Sequence, residues 1–96
     1  MNTDKALFLI LKSEYYWKIF RKEKSIEYRI KSKRNIALIK NQKFVIFQLG
    51  YNSDNKMKIP IVKIDETKIQ FNIHLDLANI LIISLKLKNT YQMSLW

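Results

Sequence analysis

Along residues 69–75 and 25–31 apolar and polar side chains alternate one for one, and this period of two constrains the fold more than any other feature of the chain. In the first segment Ile69, Phe71, Ile73 and Leu75 alternate with Gln70, Asn72 and His74. In the second, Ile26, Tyr28 and Ile30 alternate with Ser25, Glu27, Arg29 and Lys31. Each reads as a strand with one face on a core. For residues 25–31 the pattern predicts Ile26 and Tyr28 inside, with Glu27 and Arg29 forming a polar row outside.

Further strands follow from local pattern. Residues 6–11 and 44–49 are nearly continuous apolar runs, which predict strands buried on both faces. Residues 57–64 also read as a strand, but the apolar positions change parity across Pro60-Ile61, as a β-bulge would require. Residues 80–88 predict another strand, although Asp76 could cap a short helix running into Leu81, and Tyr91, Met93 and Leu95 suggest a last edge strand. One early helix is expected over about 13–23, with Ser13 as its N-cap and Glu14 in its first turn. Tyr16, Ile19 and Phe20 form its apolar stripe, and Arg21, Lys22 and Lys24 mark its end. The island Ile36–Ile39 is open between a strand and a loop anchor. With no linker or repeat, residues 1–96 make one domain of α+β class, mostly β: a small curled sheet or partly closed β-barrel with one early helix.

Composition bears on partners. The chain has 18 Lys and Arg against 8 acids, a formal net charge of +10, which favours a polyanion. An AT-rich coding bias would supply Lys, Asn and Ile, yet it would not suppress Glu and Asp. No cysteine is present, which excludes disulfides, thiol nucleophiles and Cys-type zinc sites and fits a cytoplasmic setting. The apolar runs are too short for a signal-peptide core or a membrane span, so no membrane partner is expected. No His, Asp and Glu cluster has metal-ligand spacing, and we expect no metal or cofactor. The lone His74 reads as a solvent-facing residue on a polar strand face.

Lys24, Ser25, Ile26, Glu27, Tyr28 and Arg29, following a strand and an aromatic-rich helix start at residues 9–20, resemble the Lys-Thr-Ile-Glu-x-Arg core of the ASCH family, which has the PUA-like fold. Residues 42–48 are similar to that family's Gly-Asp-x-Val-x-Phe strand. The chain departs from the pattern where Lys22 replaces a glycine and where Asn41-Gln42 replaces Gly-Asp. The resemblance implies RNA binding, with ribonuclease or N4-acetylcytidine amidohydrolase activity in some members. For the amidohydrolase, the position of the threonine nucleophile holds Glu27, and a carboxylate cannot replace that hydroxyl. Lys24 matches the lysine of that set, and Glu66 is the nearest candidate for its distal glutamate.

Strand geometry brings Glu27 and Arg29 to one face with Lys24 at the corner, where the cations could meet phosphate or a base carbonyl. The plain alternative is a salt-bridged surface. The first reading is therefore a small RNA-binding domain, RNA ahead of DNA, in which Lys24, Glu27 and Arg29 form a pocket for a base or modified base. Lys22, Lys24, Arg29, Lys31, Lys33, Arg34, Lys40 and Lys43 would hold phosphates, and Trp17 and Tyr51 would stack on bases. A second reading makes the chain a hydrolase of RNA or a modified nucleoside, with Lys24 and Glu27 catalytic; binding stands ahead of it. A third is a phage or mobile-element protein that binds a host nucleoprotein.

Overall fold

A computed structural model describes residues 6–39, 41–51 and 54–84. It is mostly β, with six strands, β1 (Ala6–Leu11), β2 (Ile26–Ile30), β3 (Phe44–Leu49), β4 (Lys56–Glu66), β5 (Gln70–Leu75) and β6 (Leu81–Ser84), and two helices, α1 (Ser13–Phe20) and α2 (Lys33–Ile39). The strands run in the order β1-β3-β4-β5-β2, with β6 paired to β4. β1 lies parallel to β3, and the other pairings are antiparallel.

The long β4 gives the sheet its shape. Its first half pairs with β3 and its second with β5, and the register shifts between Ile61 and Lys63, leaving Val62 as the bulged residue. A bulge bends its strand and raises local twist, so one strand serves both halves of a curled sheet. The result is a half-barrel. The parity change across Pro60-Ile61 therefore marked a real corner.

The concave face holds the core. Leu7, Leu9 and Leu11 of β1 meet Val45 and Phe47 of β3, Met57 and Ile59 of β4, and Phe71, Ile73 and Leu75 of β5. Tyr16 and Ile19 of α1 and Ile39 of α2 close over it. β1 and β3 do not match the expectation of burial on both faces: β1 alternates, with Phe8 exposed, because an end strand of an open half-barrel has a core on one side alone.

The helices differ from expectation in detail. α1 ends at Phe20, and Ser13 does not cap it; Lys12 holds the cap position without a side-chain hydrogen bond. Lys22 N–H donates to the Ile19 carbonyl and Glu23 N–H to the Lys18 carbonyl, a Schellman closure that puts Lys22 at the left-handed position (φ 64°). The island Ile36–Ile39 belongs to a helix. Ser32 Oγ accepts from the Asn35 N–H at its start, and Gln42 Nε2 donates to the Leu38 carbonyl at its end. Asp76 does cap a short helical turn, Leu77–Asn79, by accepting from the Ala78 N–H, and β6 follows. The expected strand at Tyr91, Met93 and Leu95 lies outside the described residues.

The facing of β2 is the main correction. Its register sets Glu27 opposite Ile73 and Arg29 opposite Phe71, so these two point to the concave side. Glu27 is 6 % exposed, whereas Tyr28 is 53 % and Ile30 69 % exposed. Alternation separates two faces without naming the inner one. Here the charged pair goes inside because its members neutralise each other and find hydrogen bonds there.

Candidate functional site

β1 and β2 are the two ends of the curled sheet, and Arg29 reaches from one to the other. Its Nε donates to Glu27 Oε2 at 2.8 Å, and its Nη2 donates to the Ile10 carbonyl on β1 at 3.0 Å. The other carboxylate oxygen, Glu27 Oε1, stands 3.7 Å from Lys24 Nζ, which also donates to the Ile26 carbonyl at 2.5 Å. Glu27 thus orients both cations. Buried charges persist when they are paired and hydrogen-bonded in this way.

The trio does not line one pocket. Arg29 opens on a cleft of about 310 Å³ bounded by Phe8, Ile10, Arg34, Leu38 and Tyr51, where the half-barrel is open under α2. Lys24 instead faces a separate surface groove with Tyr15, Glu23 and Tyr28. Its ammonium lies 5.7 Å from the Tyr15 ring centroid and 5.0 Å from that of Tyr28. Cation–π contact of this kind holds the lysine at the groove wall. Glu27 pairs with the cation of each opening and lines neither.

The expected stacking residues fare differently. Trp17 is half-buried, edge-to-face with Tyr16 at 5.1 Å and with Phe20 at 5.3 Å, and it packs against the core. Tyr51 is 81 % exposed at the cleft. Its backbone is fixed by buried Gln48, whose Nε2 donates to the carbonyls of Gly50 and Tyr51. Of the basic residues, Lys22, Lys33, Arg34 and Lys43 are exposed, while Lys31 pairs with Glu66 and lies over the Phe71 ring. Glu66 therefore sits at the far end of β4, along a cavity with Lys43 and Lys63, away from Lys24. Lys40 lies outside the described residues. His74 is not a free surface imidazole: its Nε2 is 2.8 Å from Asp65 Oδ2.

Sequence reasoning missed Tyr28 as a flank of Lys24 and Phe8 as a cleft wall because alternation and the apolar run gave both to the core, while Tyr15, the other flank, had no assignment and Leu38, another cleft wall, lay in the island left open between strand and loop anchor. The Ser32-x-x-Asn35 spacing was the signal that could have placed α2, and with it Arg34, beside Arg29. Among the described residues no group of His, Asp and Glu could hold a metal ion, and no helix is long and apolar enough to cross a membrane.

The chain matches no known family model and no curated protein.

Proposed function

We propose that the protein is a small basic RNA-binding domain of ASCH-like, PUA-like type, which holds RNA, or a modified nucleobase within it, at the opening between β1 and β2. The observation that carries this reading is the cleft itself. Two guanidinium groups, Arg29 and Arg34, line it beside an exposed tyrosine, on a chain of net charge +10. Phosphate contacts from such groups give affinity, and a ring at the rim gives a platform for a base. One backbone detail supports the resemblance. Lys22, which stands where the family has glycine, has a left-handed φ of 64°.

Binding stands ahead of hydrolysis because Glu27 is a poor general base in this position. Each of its oxygens faces a cation, and the carboxyl is enclosed by protein.

The test is the salt dependence of binding to a labelled single-stranded RNA. Between about 50 and 200 mM salt the affinity is expected to fall about tenfold or more, since several phosphates release counterions together. Lys33→Ala with Lys43→Ala should weaken every sequence alike, and DNA of the same sequence should bind less tightly. Absence of binding at low salt, or affinity indifferent to salt, overturns the reading.

A further inference from the structure

The cleft between β1 and β2 differs in charge from two other openings among the described residues. The larger one beside β4 contains Glu66, and the groove at Lys24 contains Glu23, whereas the described residues that line the cleft, among them Phe8, Ile10, Arg29, Arg34, Leu38 and Tyr51, include no carboxylate. Arg29 uses Nε on Glu27 and one Nη2 hydrogen on Ile10, which leaves its Nη1 hydrogens and the second Nη2 hydrogen without a partner among the described residues. The Arg34 side chain has no hydrogen bond or ion pair among them. Glu27 is shared between Arg29 and Lys24, so the three cations Lys24, Arg29 and Arg34 against this one carboxylate leave a net charge of +2 about the cleft.

We infer that this cleft takes the terminal phosphate of a ribonucleotide chain, held by Arg29 and Arg34 with the adjoining base on Tyr51. The inference rests on the RNA-binding reading and adds which part of the RNA enters. A phosphate monoester carries about −1.5 to −2 at pH 7 and three acceptor oxygens, matching two guanidinium forks, whereas an internal diester carries a single charge. A volume of about 310 Å³ suits a single nucleotide unit better than a length of strand. Arg29 is pre-positioned for this, because Glu27 and Ile10 fix its plane before any ligand arrives.

The experiment compares one RNA octamer carrying a 5′-hydroxyl, a 5′-phosphate or a 3′-phosphate, at fixed salt, with AMP and adenosine measured alongside by NMR shift perturbation. One of the phosphorylated ends should bind at least about tenfold more tightly than the hydroxyl form, tenfold being the worth of about one added charge-assisted hydrogen bond. Arg34→Ala should remove that increment and Arg34→Lys should restore part of it, with thermal melts near wild type because Arg34 is exposed. AMP should shift cleft residues and adenosine should not. If all three octamers bind alike, the inference is wrong and the RNA-binding reading survives. If no octamer binds yet AMP does, the phosphate site stands and the RNA reading falls; if AMP also fails, both fall.

Discussion

Tyr16 is fully buried in α1, and its hydroxyl has no hydrogen-bond partner among the described residues. A buried hydroxyl left unpaired loses its water without compensation, so the ring stabilises the core while its oxygen opposes it. Tyr16→Phe is therefore expected to raise stability by about 1 kcal/mol in urea denaturation. Burial also pushes the Tyr16 phenol up from 10.0 to about 12. Because the folded state holds this proton more tightly than the unfolded chain, the contribution is complete below pH 10 and is lost as pH rises toward 12. The Phe variant should lose less stability than wild type across that window, and parallel slopes for the two would show the hydroxyl to be solvated. The burial of Tyr16 was legible in the spacing of Tyr16, Ile19 and Phe20; the missing partner was not, since it depends on what the sheet presents to the helix.

At the scale of elements, the sequence was most readable where period or chain geometry acts alone. The alternation of β5 and the parity change in β4 both give the observed strands and bulge. It was least readable where charges decide. β2 reads equally well with either face inward, and what selects the inner face is the closure of Lys24, Glu27 and Arg29 on one another and on a carbonyl of distant β1. α2 escaped notice because its apolar island is short and its start is set by the Ser32 hydroxyl. The turn between α1 and β2 allows a direct test. Lys22 occupies the left-handed position of a Schellman closure, which costs a residue with a Cβ about 1–2 kcal/mol. After the larger backbone entropy of glycine is subtracted, Lys22→Gly should gain about 0.5–1 kcal/mol, visible as a melting temperature a few degrees higher. Lys22→Ala keeps the Cβ and should gain nothing. A destabilised glycine variant would mean that the turn is not left-handed in solution.

For the whole molecule, the decisive contact is the one that joins the two ends of the sheet. A half-barrel leaves β1 and β2 as open edges, and Arg29 satisfies the Ile10 carbonyl on the first while neutralising Glu27 on the second. The same side chain supplies the floor of the cleft, so closure of the fold and recognition are coupled through one guanidinium. Arg29→Ala strands a buried carboxylate with Lys24 at 3.7 Å as its remaining partner, and should cost about 2–3 kcal/mol by urea denaturation. Tyr28→Ala removes an exposed ring and should cost less than about 1 kcal/mol, the reverse of the order that simple strand alternation gives. Adding Glu27→Gln to Arg29→Ala should recover part of the loss, because the amide is neutral and no uncompensated charge then remains in the core. Strict additivity in that cycle would mean that Glu27 and Arg29 do not interact in the folded protein, and neither the clasp between β1 and β2 nor the fixed geometry of the phosphate cleft could then hold.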